Sequence, residues 1–119
     1  MSITHIVLLQ LKPDVDPAAI QQASMHFLSL KDTCVNPTSK QPYILKISGG
    51  SDNSPEGLQD GISHAFVVEF ANEADRDYYV KEDPAHQMFK QQVGPLLQKI
   101  QVIDFAPELF AKAYSKSLA

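Results

Sequence analysis

A ferredoxin-like α+β fold, in which a four-stranded antiparallel sheet carries its helices on one face, is predicted by three features of this sequence. Apolar residues alternate along positions 3–12, 61–71 and 99–106. They recur instead at three- and four-residue spacing from Pro17 to Lys31, and Asp-Pro pairs at 16–17 and 83–84 mark two helix starts. The resulting order of strand, helix, strand, strand, helix pair, strand fits that fold. With 119 residues, 44% of them apolar, the chain is expected to form a single domain over 1–119 with its own core.

The first strand places Ile3, His5, Val7, Leu9 and Leu11 on one face and Thr4, Ile6, Leu8, Gln10 and Lys12 on the other. Asp16 caps a helix whose first-turn residue is Pro17, and Ile20, Ala23, Phe27, Leu30 and Cys34 form its apolar stripe. Cys34 reads as a small buried hydrophobe near the helix end, and His26 as a residue at the edge of the stripe. After the polar loop 36–42, Tyr43, Leu45 and Ile47 alternate as a second strand. The polar stretch Gly49 to Gly57 is expected to leave the sheet as a lid or a held turn, and it lacks the Gly/Lys/Ser pattern of a phosphate loop.

In the third strand Ile62, His64, Phe66, Val68 and Phe70 face one way. Asn72 then caps a helix with Asp75 at the reciprocal position, while Asp75, Asp77, Lys81 and Glu82 read as a solvated face. Proline cannot continue a preceding helix but suits the first position of a new one, so Asp83-Pro84 divides two short helices. The second of them carries Met88, Phe89 and Val93 and stops near Gly94-Pro95. The last strand has Ile100 and Val102 on one face. The helices cover only one side of the sheet, which leaves Ile6, Leu8, Ala65 and Val67 on the other. Such a face predicts a homodimer whose two sheets close into an α+β barrel.

Ten basic and fourteen acidic side chains give a charge of -4 with no basic stripe, which argues against nucleic acid as a partner. The sole cysteine excludes an internal disulfide and does not suggest a zinc site, so a reducing, cytoplasmic setting is expected. No apolar run approaches a membrane span, and the amino terminus lacks a basic region followed by a long apolar one. The tail beyond Glu108 carries Lys112 and Lys116 and ends in Ser-Leu-Ala, which is not the usual peroxisomal signal.

Potential chemistry gathers between Asp77 and Phe89, where a histidine, two phenols and several carboxylates fall close together. His86 lies in the first turn of its helix, where the positive end of the helix dipole favours a neutral imidazole able to accept a proton. There is no Ser/His/Asp set with nucleophile spacing, and no flavin, nicotinamide or haem fingerprint, so no cofactor is expected.

Three blocks, residues 4–12, residues 63–70 and the run from Tyr79 through Asp83-Pro84-Ala85-His86 to Phe89, resemble the stress-responsive α/β-barrel (Dabb) domain of the dimeric α+β barrel superfamily. Within that family the chain is similar to the plant polyketide cyclases that form olivetolic acid by an aldol condensation. That resemblance implies His86 as the base, Tyr79 as an assisting phenol, and His5 and His64 as pocket residues; Val7, Phe66, Phe27 and Phe89 are expected to bind substrate beside them. Tyr79 stands seven residues before His86, one more than is common in the family, and Asp83 replaces a frequent histidine. Strand spacing separates His5 from His64 by on the order of 15 Å, too far for both to touch one reacting atom.

Two functions follow as expectations. One is a cofactor-independent polyketide cyclase-like enzyme, or a related lyase or isomerase, taking a proton from a hydrophobic carbonyl compound. The other is a non-catalytic dimeric stress-responsive protein that holds a small hydrophobic ligand.

Overall fold

The computed structural model describes residues 1–111, so the Lys112 to Ala119 part of the tail lies outside the described residues. Strand β1 runs Ile3–Leu11, β2 Ile44–Ser51, β3 His64–Phe70 and β4 Leu97–Phe105, and the helices are α1 Pro17–Thr33, α2 Glu73–Lys81 and α3 Pro84–Val93. A 3-10 turn, Gly94–Leu96, leads from α3 into β4. All strand pairs are antiparallel and the sheet order is β2-β3-β1-β4, the ferredoxin-like arrangement.

The caps act where the sequence put them. Asp16 accepts from the Ala18 N–H at 3.0 Å, Asn72 from the Asp75 N–H at 2.8 Å, and Asp83 from the Ala85 N–H at 2.9 Å. Each fills one of the donors that a helix start leaves open. The core forms where α1 lays Phe27 and Leu30 on the sheet: the Phe27 and Phe66 rings stack with centroids 4.3 Å apart, and Val7, Leu9, Val68 and Phe70 close the layer. Burying each such side chain contributes about 1.5–3 kcal/mol. Cys34 is fully buried at the α1 C-cap.

Strand β2 departs from the sequence reading in two ways. Ile44 pairs with Phe70 and Lys46 with Glu69, so Leu45 is the extra residue of a bulge and is 56% exposed. The bulge turns Ile44 and Ile47 to the same inner side, whereas simple alternation put Leu45 there. Gly49, Gly50 and Ser51 also remain in the strand, and the polar excursion begins at Asp52. A Cβ on Gly49 would collide with the Phe66 ring, so glycine at this position lets the ring lie across the backbone. The loop that follows is held internally, with Asp52 accepting from the Gln59 side chain at 2.6 Å and from the Ser54 N–H at 3.1 Å.

The helices leave the outer sheet face uncovered. One row across it reads Ser48, Val67, Ile6, Ile103, and the rows beside it carry Ala65 with Leu8 and Thr4 with Phe105. Ile103 is 58% exposed and Phe105 44%.

At the α2–α3 junction Asp83 is 1% exposed, and its second carboxylate oxygen accepts from the Tyr43 hydroxyl at 2.6 Å. Burial and the neighbouring Asp83 both push the Tyr43 phenol up, which keeps it a donor. Asp83→Ala removes a helix cap and leaves the hydroxyl of the partly buried Tyr43 without its acceptor, so a loss of about 2–4 kcal/mol is expected from urea unfolding. In a Tyr43→Phe background the same substitution should cost less than half as much.

Candidate functional site

A cavity of about 400 Å³ lies between the inner sheet face and the helices, on the β1–β4 side. Its floor is His5, Val7 and Leu9 of β1 with Ile100, Val102 and Asp104 of β4. Phe27 of α1 closes one end, and α3 supplies His86, Phe89, Lys90 and Val93. From α2 come Arg76, Asp77 and Val80. The walls are predominantly hydrocarbon, with a few polar groups placed among them, as in a small-molecule site.

His86 is 9% exposed, and its Nδ1 lies 2.7 Å from the backbone carbonyl oxygen of Tyr79. A carbonyl can only accept, so Nδ1 carries the proton and donates, which leaves Nε2 as a bare acceptor. Among the described residues Nε2 has no hydrogen-bond partner. Burial pushes the imidazole down to about 4; nearby Lys90 and His5 act in the same direction, against the Tyr79 carbonyl and Asp83. The ring is therefore neutral at physiological pH.

A second imidazole stands in a contrasting environment. His5 donates from Nδ1 to Oδ1 of Asp104 at 2.7 Å, and the two are directly opposed across the β1–β4 ladder. The other Asp104 oxygen accepts from the Arg76 guanidinium at 2.8 Å, and Arg76 Nε donates to Asp77 at 2.8 Å. Those two carboxylates, Asp77 foremost, hold the guanidinium above its ordinary value. Asp77, expected on a solvated face, is thus part of a charged chain that reaches the cavity.

The remaining expected residues divide. Val7, Phe27 and Phe89 line the cavity with His5 and His86. Phe66 lies one layer deeper, beneath Phe27. His64, at the far end of the sheet, shares a separate groove with Leu8, Gly50 and Asp52 and meets the Ser63 hydroxyl at 2.9 Å. The register explains the separation, since His5 faces Val68 while His64 faces Leu9. Tyr79, expected as an assisting phenol, is 0% exposed and absent from the cavity wall. Its ring stacks on the His86 ring with centroids 3.7 Å apart, and its hydroxyl is buried without a partner among the described residues. Burial pushes that phenol up, so it stays protonated. Tyr79 meets His86 through its ring and its carbonyl rather than its hydroxyl.

Asp104 and Arg76 were not singled out from the sequence. The available signal was a carboxylate in phase with Ile100 and Val102 on the inner face of β4.

The model of the stress responsive A/B barrel domain matches residues 3–107. The solved structure of At3g17210 from Arabidopsis thaliana is 26% identical, with a TM-score of 0.77 over 92% of this chain and 98% of that one. A hydroxynitrile lyase from Passiflora edulis is 24% identical, with a TM-score of 0.78 over 92% and 97%, and at that identity the likeness is one of fold. A dimeric ferredoxin-like protein of unknown function from Thermobifida fusca is 21% identical, with a TM-score of 0.70 over 89% and 91%. No curated protein matches the chain.

The His86 environment sets a pH dependence. Its folded-state pKa of about 4 lies below the ordinary 6.5, so the stability tied to the neutral ring is complete above 6.5 and drains away as pH falls toward 4. Urea midpoints measured from pH 7 to pH 4 should fall more steeply for the native chain than for His86→Gln. An imidazole titrating near 6.5 by NMR would contradict the buried neutral state.

Proposed function

The chain belongs to the stress responsive A/B barrel domain family, and on that premise we propose that it is a cofactor-independent acid–base enzyme, polyketide cyclase-like or a related lyase or isomerase, acting on a hydrophobic carbonyl compound. The observation that carries this reading is the His86 tautomer, since a proton donated to the Tyr79 carbonyl leaves Nε2 as a free acceptor on a residue that lines a largely apolar cavity. In this reading Nε2 of His86 takes the proton alpha to the substrate carbonyl. The ring is a weak base when the cavity is empty. An enolate developing ~4 Å away contributes about 4 kcal/mol at an effective dielectric of ~20, or about three pK units. That is enough to offset the whole depression from 6.5 to about 4, so basicity rises as the reaction proceeds.

His5 takes the complementary role. Asp104 fixes its tautomer and stabilises the positive charge that forms on the ring during turnover, as in other orienting carboxylate–histidine pairs. With a proton taken up from solvent at Nε2 while Nδ1 stays bonded to Asp104, His5 donates a hydrogen bond to the oxyanion, and His86 returns the alpha proton to the product. Tyr79 acts as a positioning residue through its ring and carbonyl. The Passiflora lyase supports the reading only in that the same fold hosts lyase chemistry there.

The alternative, a non-catalytic holder of a small hydrophobic molecule, draws support from the apolar walls and from the burial of the one phenol expected to assist. The two readings part on turnover. Against aldol-active polyketones and aromatic cyanohydrins, His86→Ala should lower kcat by about 10²–10⁴-fold with the fold intact by circular dichroism. Turnover that survives this substitution ends the enzymatic reading, and an apolar ligand that co-purifies and dissociates unaltered supports the holder.

The homodimer is also proposed here, through the outer sheet face. The Val67, Ile6 and Ile103 row supports it, as do structural neighbours described as dimeric. Ile103→Lys places a charge in that row and should convert a dimer to a monomer by sedimentation equilibrium; an unchanged dimer mass would place the contact elsewhere.

A further inference from the structure

Building on the reading of this cavity as a binding site, we propose that Lys90 is an anion-recognition position at its rim. The preferred ligand is then an amphiphile with an apolar body and a carboxylate head.

Two cations line the cavity, and their situations differ. Arg76 is held between Asp77 and Asp104 at 2.8 Å each, so its charge is already answered. Lys90 faces no carboxylate among the described residues, and its ammonium reaches only the Val80 carbonyl oxygen at 3.4 Å. That contact is long and leaves donors on the ammonium open. The acidic groups of the cavity, Asp77 and Asp104, are both occupied by Arg76, so a cationic head finds no open counter-charge whereas a carboxylate does.

Position supports the same ligand. Lys90 follows His86 by four residues in α3, which puts both side chains on one face of the helix, one turn apart. Cβ atoms at this spacing lie about 5–6 Å apart, so a carboxylate held by Lys90 sits on the same helix face as the imidazole. The hydrocarbon tail then runs along Phe27, Phe89, Val93, Ile100 and Val102. The closeness of the ammonium is also felt by His86, whose proton affinity Lys90 lowers. A volume of about 400 Å³ falls in the range that takes up small ligands whole.

Lys90 is exposed, so water and salt screen the contact and its share is modest. Isothermal titration of the full-length protein with decanoate, decanol and decylamine, each below its micellar concentration, reads that share. The native chain is expected to bind decanoate about five- to tenfold more tightly than decanol. Lys90→Gln should abolish the difference while decanol binding persists, Lys90→Arg should retain it, and Lys90→Glu should shift the preference to decylamine. Equal binding of decanoate and decanol by the native chain, no binding of either, or a preference that survives Lys90→Gln would each overturn the proposal. Binding is read here without turnover, so a failure of the acid–base chemistry leaves this result standing, and a failure here leaves the acid–base chemistry to its own test.

Discussion

The site depends on a helix that stops in the right place. In an uninterrupted helix the carbonyls of Tyr79 and Val80 would accept from the N–H groups of residues 83 and 84. Here the Asp83 N–H reaches back to Tyr78 instead, and Pro84 has no N–H to give. Two carbonyl groups are therefore left without their usual partners at a partly buried break, where unpaired acceptors are costly. Side chains of the next helix satisfy them: His86 takes the Tyr79 oxygen at 2.7 Å, and Gln87 and Lys90 reach Val80 at 3.2 and 3.4 Å. The tautomer that leaves Nε2 an open acceptor is thus a consequence of repairing the break. Asp83 holds the break from below, bonded at once to the start of α3 and to Tyr43 beside β2.

Much of this frame was legible in the residues, because it rests on local rules. Alternation in β1 gave the inward set of Ile3, His5, Val7 and Leu9, and the Asp-Pro and Asn72 signals gave three helix starts to the residue. Non-local features were not legible. Which carboxylate meets His5 depends on how β4 registers against β1, 99 positions along the chain, and alternation within one strand does not carry that information. Leu45 was misread for a related reason, since a single bulged residue reverses the phase of everything before it. Tyr79 was expected as an assisting phenol, and the structure sets its ring against His86, but periodicity describes the direction of a Cβ and not whether a hydroxyl finds a partner at the end of the ring.

The position of β4 accounts for the opening of the cavity. It is an edge strand paired only with β1, and α1 packs toward β2 at the opposite side, so the inner residues Ile100 and Val102 stay about half exposed. What crosses from the helices to this strand is a charged connection, Asp77 to Arg76 to Asp104 to His5. Exposed ion pairs contribute little to stability, typically 0–1 kcal/mol each. Their effect here is one of direction. A carboxylate fixed by a guanidinium on one oxygen presents the other oxygen to His5 at a set angle, which adds to the edge-on packing of the imidazole against Phe70 and Tyr79.

Two features of the interior work against stability, and both lie at His86. Burial holds the imidazole in the form that does not favour folding once the solution turns acidic, and the Tyr79 hydroxyl is enclosed without a partner among the described residues, at a cost of about 1–3 kcal/mol. A phenylalanine at 79 would keep the stacked ring and the carbonyl while removing that cost, so packing alone does not account for the hydroxyl. Nor does the cavity, which it does not reach. The ring face is a different matter: at 3.7 Å it leaves the imidazole no room to tilt, and with Nδ1 tied to the carbonyl of the same residue the ring is fixed at two points. An acceptor fixed in this way does not need to reorganise as charge builds beside it, and that preorganisation is the property an acid–base site in an apolar cavity requires.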